Sequence, residues 1–306
     1  MATQLRCLVT GASGYIGGRL VPELLEAGYT VRCMARDPGK LADRPWSDDV
    51  EVAKADVTEE DALRAALADC DVAYYLIHSL GTGPSFEQRD KDAARAFADA
   101  ARAAGVSRIV YLGGMLPDDQ GDLSPHLRSR GEVGDILLGS GVPTAALQAA
   151  VIIGSGSASF EMLRYLTERL PAMITPKWVE TRIQPIAVRD VLRYLVGAAR
   201  LPADVNRRFD IGGPDVLNYA EMMRRYAAVA KLTPRLLVPV PLLTPSLSSH
   251  WIGLVTPVDA GVARPLVEGL STDTTVTDPS GMQLFDITPR PFRQALDEAI
   301  EEERAG

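Results

Sequence analysis

The first half of the chain alternates short apolar segments with segments of helical periodicity, and this alternation limits the possible folds more than any other feature. Six apolar segments predict strands, at 5–10, 30–36, 50–57, 71–78, 108–114 and 143–153. Amphipathic helical patterns and a glycine-rich turn lie between them. Strands separated by helices form right-handed crossovers and pair in parallel. The sequence therefore predicts an α/β fold, a Rossmann-type doubly wound parallel sheet that binds ligands at the carboxyl ends of its strands.

The alternation weakens after Ile153, and we interpret the chain as two lobes. Residues 1–153 form the predicted Rossmann domain, and residues 154–306 form a smaller substrate lobe. Segments around 183–200 are expected to return to the main sheet. Residues 236–261 are apolar and rich in proline, which favours the wall of a pocket for an apolar small molecule. A lid, a dimer surface or a membrane-contacting surface are the alternatives for this segment.

Composition excludes several classes of partner. The net charge of −8 argues against nucleic acid, because phosphates are bound by clustered Lys and Arg. No run of about 18 uncharged apolar residues is present, so no membrane span is predicted. Three cysteines in apolar segments and the lack of a signal-peptide pattern predict buried thiols in a cytoplasmic protein. The spacings HExxH and CxxC are absent, so no metal site is predicted.

The turn after the first predicted strand has the pattern G-x-x-G-x-x-G, in the sequence VTGASGYIGG. Glycines let the backbone approach a pyrophosphate, and the N-terminus of the following helix supplies N–H donors. A purely structural turn is the alternative. The pattern predicts cofactor contacts from Gly11, Ser13, Gly14, Tyr15, Ile16 and Gly17.

Arg36, at the end of the second predicted strand, favours NADP(H) over NAD(H). A carboxylate at this position would bind the ribose 2′-hydroxyl, whereas a guanidinium binds a 2′-phosphate in bidentate geometry. Asp37 follows and partly offsets the charge. An arginine that is merely exposed on the surface is the alternative interpretation.

Several segments of the chain resemble the short-chain dehydrogenase/reductase superfamily. They are TGASGYIGG, ADV at 55–57, YYLIHSLG at 74–81 and PIAVRDV at 185–191. The similarity is greatest to atypical, NmrA-like NAD(P)-binding members, including the bacterial YbjT-like group. The resemblance implies that the residues after the third strand flank the adenine and that those after the fourth line the ribose and pyrophosphate. The further cofactor contacts expected from it are Asp56, Val57, Leu76, Ile77, His78 and Gly113.

The superfamily's Tyr-x-x-x-Lys pair has no counterpart in this chain. In relatives the Tyr protonates the substrate carbonyl and the Lys binds the nicotinamide ribose; the resemblance places His126 and Arg130 at these positions. The Ser that polarises the carbonyl is replaced by Gly113 or Gly114. His126 and Arg130 share one helix face, and a His can act as general acid or base. The neighbouring Arg favours the neutral imidazole, and two solvent-facing polar residues are the alternative.

Three functions agree with these residues. The first is an NADP(H)-dependent oxidoreductase that acts on an apolar carbonyl or conjugated alkene, with a homodimer as one possible assembly. The second is a non-catalytic regulatory protein that senses NADP(H), which the altered catalytic positions support. The third is a non-redox isomerase or lyase in which His126 acts as the base.

Overall fold

A computed structural model describes residues 5–77, 86–117, 123–175, 177–239, 266–270 and 272–305. His78 and all but the first four residues of the apolar segment 236–261 lie outside this part of the chain. Cys7, Cys33 and Cys70 are buried free thiols, as the sequence predicts. None of the described helices has the length and apolar character that crossing a membrane requires.

A seven-stranded parallel sheet forms the centre of the protein and confirms the predicted Rossmann-type fold. In chain order the described strands are β1 (Arg6–Thr10), β2 (Thr30–Ala35), β3 (Glu51–Lys54), β4 (Val72–Tyr75), β5 (Arg108–Gly114), β6 (Thr144–Ala149), β7 (Ile152–Ile153), β8 (Ala172–Thr175), β9 (Arg182–Ile183), β10 (Ile186–Ala187), β11 (Arg207–Ile211), β12 (Leu217–Asn218) and β13 (Leu236–Pro239). The main sheet has the order β11-β6-β5-β4-β1-β2-β3.

Helices cover both faces of this sheet. The described helices are α1 (Tyr15–Glu26), α2 (Gly39–Ala42), α3 (Glu60–Leu67), α4 (Phe86–Ala103), α5 (Pro125–Leu138), α6 (Ala158–Arg169), α7 (Val188–Ala198), α8 (Tyr219–Val229) and α9 (Phe292–Ala305). Successive strand residues face opposite layers, so Cys7 and Val9 pack with α1 and α7 while Leu8 packs with α3 and α4. Because both faces of these strands are buried, their sequences are continuous apolar runs.

The predicted strand at 143–153 is two strands in the structure. β6 ends at Ala149, and β7 pairs with β10 in a separate two-stranded sheet. Residues before and after the bend between β6 and β7 are buried or half-buried, so the sequence stays apolar across it. Hydrophobicity therefore does not reveal the break between the two strands. From the second half of the chain, β11 joins the main sheet, whereas residues 183–200 contribute α7, which packs against α1.

The second half forms its own apolar core between α6, α8 and α9. The acidic end of α9 connects this core to the first helix of the chain. Glu302 accepts a hydrogen bond from Arg19 at 2.8 Å, and Glu303 accepts one from Ser155 at 2.8 Å. These contacts hold the turn after β7 against α1, next to the site described below.

Candidate functional site

A cavity of about 320 Å³ lies at the carboxyl ends of the central strands, between the main sheet and the second core. The sequence-predicted residues that line it are Gly11, Gly14, Tyr15, Ile16, Gly17, Leu76, Gly113, His126 and Arg130. Those that do not line it are Ser13, Arg36, Asp56, Val57 and Ile77, while His78 lies outside the described residues. The glycine-rich turn and the His126–Arg130 pair thus line the same cavity.

The glycine-rich turn is closely packed, and glycine is required at two of its positions. Gly11 has a φ of +68°, in the left-handed region that glycine adopts without strain. A Cβ atom on Gly17 would lie 2.3 Å from the carbonyl oxygen of Gly11. The hydroxyl of Thr10 accepts a hydrogen bond from the N–H of Leu76 at 3.0 Å, which brings the end of β4 against the turn.

The N-terminus of α1 is open to a ligand. Gly14 is its N-cap residue, no side chain caps it, and no acidic residue lies in its first turn. Among the residues that the structure describes, the first-turn N–H groups and the positive end of the helix dipole therefore have no anionic side-chain cap. Together with the glycine packing, this arrangement fits the pyrophosphate of a dinucleotide.

The end of β2 carries Arg36, whose side chain is 82% exposed and whose Nε lies 3.9 Å from an oxygen of Asp56. Asp56 also accepts hydrogen bonds from the N–H and the hydroxyl of Thr58 at 2.9 and 2.8 Å. The bond from the Thr58 N–H is the main cause of a lowered pKa at Asp56, and Arg36 lowers it further. Asp37 accepts a hydrogen bond from the Gly39 N–H at 3.1 Å, so its carboxylate is engaged within the loop.

Helix α5 begins as the sequence predicts, with Ser124 as the cap and Pro125 in the first turn. The N–H of Leu127 donates to the Ser124 hydroxyl at 3.3 Å. This start places His126 and Arg130 on the cavity side of the helix. The His126 ring stacks on Phe86 of α4, with the ring centroids 4.6 Å apart and the planes inclined by 21°.

Arg130 has no carboxylate partner among the residues that the structure describes. The two acidic residues of its own helix pair elsewhere: Glu132 with Lys91 at 3.0 Å, and Asp135 with Arg208 at 2.7 Å. Within the described part of the chain, the Arg130 guanidinium is thus a cation at the cavity wall that no carboxylate neutralises.

The end of β5 contributes no polar side chain to the cavity lining, because its last two residues are glycine and Leu112 before them is apolar. The ring of Tyr111 occupies the adjoining space: a Cβ atom on Gly113 would lie 2.9 Å from its Cε1 atom. Burial raises the pKa of the Tyr111 phenol to about 12. A side chain at residue 113 would therefore require the Tyr111 ring to shift.

The second half of the chain supplies the opposite wall, which sequence reasoning did not find. Its apolar part comes from Met162, Leu266 and Leu270, and its hydroxyl-bearing residues include Tyr219 and Thr274. Tyr219 begins α8, where the pattern N-x-x-E forms a capping box through Asn218 and Glu221. The N-x-x-E pattern predicts the start of a helix, but it does not predict that Tyr219 lines a cavity. Burial raises the pKa of Tyr219.

Arg44 is a second residue that the sequence did not single out. Its Nη2 atom donates a hydrogen bond to the carbonyl oxygen of Ser13 at 3.1 Å. The indole of Trp46 donates to the carbonyl oxygen of Gly18, also at 3.1 Å. These two bonds hold the segment after α2 against the outer side of the glycine-rich turn.

Comparison with known proteins agrees with this geometry. The NAD(P)H-binding family matches residues 11–156. The ceramide reductase of Caulobacter vibrioides is 31% identical over 95% of this chain and 92% of its own. Subunit 9 of the mouse mitochondrial NADH dehydrogenase (ubiquinone) 1 alpha subcomplex is 25% identical over 97% of this chain and 80% of its own.

A solved structure shows the same fold over nearly the whole chain. The triphenylmethane reductase of a Citrobacter species superposes with a TM-score of 0.74, at 16% identity, over 97% of this chain and 99% of its own. The fold is of the Rossmann type, and the family match identifies its first half as NAD(P)H-binding. The chain belongs to the NAD(P)H-binding family, within the short-chain dehydrogenase/reductase superfamily.

Proposed function

We propose that the protein is an NADP(H)-dependent oxidoreductase that reduces the carbonyl group or conjugated double bond of an apolar small molecule. The observation that carries this proposal is the cavity itself. The cavity is lined by the uncapped N-terminus of α1, by the Arg130 cation with His126 beside it, and by a largely apolar wall from the second half of the chain. The name of the Caulobacter relative, a ceramide reductase, supports reduction of a substrate with long apolar chains.

The chain's residues divide into those that hold the cofactor and those that face the substrate. When bound, the reduced nicotinamide supplies a hydride. The backbone of the glycine-rich turn would hold the pyrophosphate, and Arg36 the 2′-phosphate. Asp56 and Val57 would flank the adenine. Leu76, Ile77, His78 and Gly113 would contact the ribose and pyrophosphate side.

His126 is the group that we assign to proton transfer. It lies in the first turn of α5, and Phe86 fixes the plane of its ring by stacking. A protonated imidazole can donate to the substrate oxygen as the hydride arrives, and the neutral ring can accept that proton in the reverse direction. The Arg130 guanidinium has five N–H donors and no acceptor, so it would act by holding the ribose hydroxyls or the forming oxyanion.

The missing serine favours conjugated alkenes or strongly polarised carbonyls as substrates. With glycine at 113 and 114, no side chain of β5 polarises a carbonyl oxygen. In a conjugated system the negative charge that follows hydride transfer is delocalised, so the demand on the protein is smaller. The apolar wall then binds the remainder of the substrate by burying hydrocarbon surface.

A regulatory protein that binds NADP(H) without turnover is the second candidate. The altered positions His126, Arg130 and Gly113 favour it, and so does the similarity to a subunit of the mouse NADH dehydrogenase (ubiquinone) 1 alpha subcomplex. A third candidate is an isomerase or lyase that uses His126 as base in the same cavity.

One experiment separates these candidates. Purified protein is mixed with NADPH and a panel of long-chain ketones, enones and quinones, and the absorbance of the reduced nicotinamide is followed. We expect oxidation that falls by about 10²- to 10⁴-fold in His126→Ala and strongly in Arg130→Ala. The control is Arg128→Ala, because Arg128 lies on the exposed side of the same helix.

The other outcomes each select a different function. Tight NADPH binding without oxidation of any substrate supports the regulatory protein. Product formation without net change in the cofactor supports the isomerase or lyase. Absence of binding of both NADPH and NADH in calorimetry contradicts all three.

A further inference from the structure

The two-stranded ribbon of β8 and β13 (172–175 and 236–239) exposes apolar side chains on its outer face. Leu236 is 62% exposed and Val238 is 45% exposed. They are two positions apart in one strand, so their side chains point to the same side. In the parallel register Ala172 lies beside Leu236, and it is exposed as well. The ribbon thus has an apolar outer face that the described residues do not bury.

The inner face of the ribbon belongs to the core that walls the cavity. Met173 is buried, and Leu237 packs against the same apolar cluster as Met162, Leu266 and Leu270. The last three of these residues line the cavity. The ribbon therefore adjoins the cavity wall on its inner side and solvent on its outer side.

The cavity is too small to enclose a substrate with long apolar chains. Its volume of about 320 Å³ is at the lower end of the range for ligand pockets, about 300–1,000 Å³. The nicotinamide ring and the reacting group of the substrate would share this volume. The hydrocarbon of a long-chain substrate would therefore extend out of the cavity, where it needs an apolar environment.

Lys231, just after α8, is an exposed cation in a backbone conformation that glycine usually adopts. Its φ is +57°. The Lys231 N–H donates to the carbonyl oxygen of Ala228 at 3.3 Å, and the next N–H along the chain donates to that of Ala227 at 2.8 Å. These two bonds form a Schellman motif, in which glycine is the common residue at this position. The lysine charge is thus placed here at a cost in stability.

Arg235, immediately before β13, is a second cation, and its guanidinium is fixed. Its Nε atom donates to the carbonyl oxygen of Thr167 at 2.7 Å. Its Nη1 atom donates to the carbonyl oxygen and the hydroxyl of Thr233, both at 2.9 Å. Glu168, which follows Thr167, accepts a hydrogen bond from the Tyr226 hydroxyl at 2.6 Å. The Arg235 charge is therefore held by neutral groups next to the first exposed residue of the ribbon.

The two cations and the apolar face together match the surface of an anionic bilayer. In the ranges that the structure describes, Lys231 and Arg235 form no ion pair with a carboxylate, although the chain has a net charge of −8. Anionic lipids attract Lys and Arg, and apolar side chains enter the boundary between headgroups and acyl chains.

We propose that the outer face of the β8–β13 ribbon docks on a bilayer that contains anionic lipids, and that a long-chain substrate enters the cavity from this bilayer. The entry of substrate rests on the proposed function, whereas the docking does not. The contact is interfacial: Leu236 and Val238 enter the bilayer surface, while Lys231 and Arg235 bind headgroup phosphates.

A second copy of the chain fits this face less well than a bilayer does. A two-fold contact pairs a surface with itself. Lys231 and Arg235 of one copy would then face the same two cations of the other. Like charges that meet across an interface weaken it, whereas anionic headgroups carry the complementary charge.

The first test is flotation of the protein with vesicles of phosphatidylcholine, with or without about 30% phosphatidylglycerol, in the absence of cofactor and substrate. We expect binding to the vesicles that contain phosphatidylglycerol, and weaker binding as salt is added. Leu236→Glu should weaken this binding about tenfold or more, because a carboxylate replaces an apolar side chain at the bilayer.

Lys231→Gly separates the charge from any effect on folding. It should weaken binding to the anionic vesicles about fivefold. Its midpoint of urea unfolding should not fall, because glycine adopts the positive φ without strain. A loss of vesicle binding in this variant therefore reports the charge.

Leu284→Glu is the matched control. Leu284 is 50% exposed, but it lies in the turn Met282–Leu284, outside the ribbon. The substitution removes the same side chain and adds the same charge as Leu236→Glu. Binding to the anionic vesicles should stay within about twofold of the wild-type value.

The second test follows NADPH oxidation with a short-chain enone in solution and with a long-chain enone embedded in the same vesicles. We expect Leu236→Glu to slow oxidation by the embedded enone about tenfold or more and to leave oxidation by the soluble enone unchanged. Equal slowing with both substrates contradicts entry from the bilayer.

Other outcomes overturn the docking itself. They are absence of vesicle binding by the wild-type protein, and an equal loss in Leu236→Glu and Leu284→Glu. Self-association that Leu236→Glu abolishes, without vesicle binding, assigns the face to a second copy. Vesicle binding without oxidation of NADPH by any substrate supports the docking and contradicts the proposed function. Oxidation without vesicle binding does the reverse.

Discussion

The hydroxyl of Tyr111 donates a hydrogen bond to the main-chain carbonyl oxygen of Arg130 at 3.1 Å. The tyrosine lies in β5 and is 4% exposed, while the arginine lies in the second turn of α5. The bond fixes the height of α5 above the sheet. It thereby sets the point from which the Arg130 side chain enters the cavity.

Tyr111→Phe removes this bond and leaves the ring in place. We expect a loss of about 1 kcal/mol in the free energy of unfolding and a several-fold weaker binding of NADPH, because Arg130 is then less well positioned. Calorimetry and urea unfolding measure the two effects. Tyr29→Phe is the control: it also loses one hydroxyl bond, a 2.7 Å bond from Arg200, but it lies outside the cavity lining. Unchanged NADPH affinity in Tyr111→Phe would contradict the positioning role.

Gly113→Ala and Gly114→Ala should differ in stability although the residues are neighbours. A Cβ atom at either position lies 2.9 Å from another atom, but at 113 that atom belongs to the buried Tyr111 ring and at 114 to the end of the Leu127 side chain. Leu127 can rotate away and the ring cannot. We expect a cost of about 1–3 kcal/mol for Gly113→Ala and less than about 1 kcal/mol for Gly114→Ala in urea unfolding. Equal losses of stability in the two variants would contradict this prediction, because they would show that the Tyr111 ring also moves aside.

Asp190→Asn should be strongly destabilising. The Asp190 side chain has no exposed surface, and it accepts hydrogen bonds from both the main-chain N–H and the guanidinium of Arg290. Its loss leaves a half-buried arginine without this counterion, at a cost of about 3 kcal/mol. Asp99→Asn, which breaks an exposed pair with Arg102, should cost less than about 0.5 kcal/mol. Similar unfolding midpoints for the two variants would contradict this prediction.

Asp215 should make the stability depend on pH in the acid range. Burial acts to raise the pKa of Asp215, but the Phe292 N–H and the Arg225 guanidinium, both at 2.8 Å, outweigh burial and lower the pKa below 3.8. The folded state then binds this proton less tightly than the unfolded state does. The contribution to stability is complete above about pH 4 and is lost as the pH falls through the lowered pKa.

Asp215→Asn should accordingly lower the free energy of unfolding at neutral pH and make its decline below about pH 4 shallower. Urea unfolding at a series of pH values measures both. If the free energy of unfolding of Asp215→Asn declined with acid as steeply as that of the wild-type protein, other carboxylates would be responsible for the acid sensitivity.

The sequence predicted the elements whose signals are local. The strands up to β5, the glycine-rich turn and the Ser124 cap each depend on residues within about one turn of each other, and the structure confirms them. The placement of His126 and Arg130 on one helix face also follows from local spacing.

The remaining features depend on contacts between distant residues. Tyr219 reaches the cavity only because α8 packs on α6, and Arg44 reaches Ser13 only because its loop folds back over the turn. The break between β6 and β7 lies inside one apolar run, so only tertiary packing defines it. The assignment of roles to the cavity residues stays a prediction that the variants above can test.

The position of β11 has a consequence for synthesis on the ribosome. The strand joins the sheet beside β6, more than fifty residues after β6 has been translated. Until residue 211 has left the exit tunnel, the nascent chain carries an open strand edge that can associate with other chains. Stop codons placed just before and just after 207–211 should therefore yield aggregated products in the first case and a larger soluble fraction in the second.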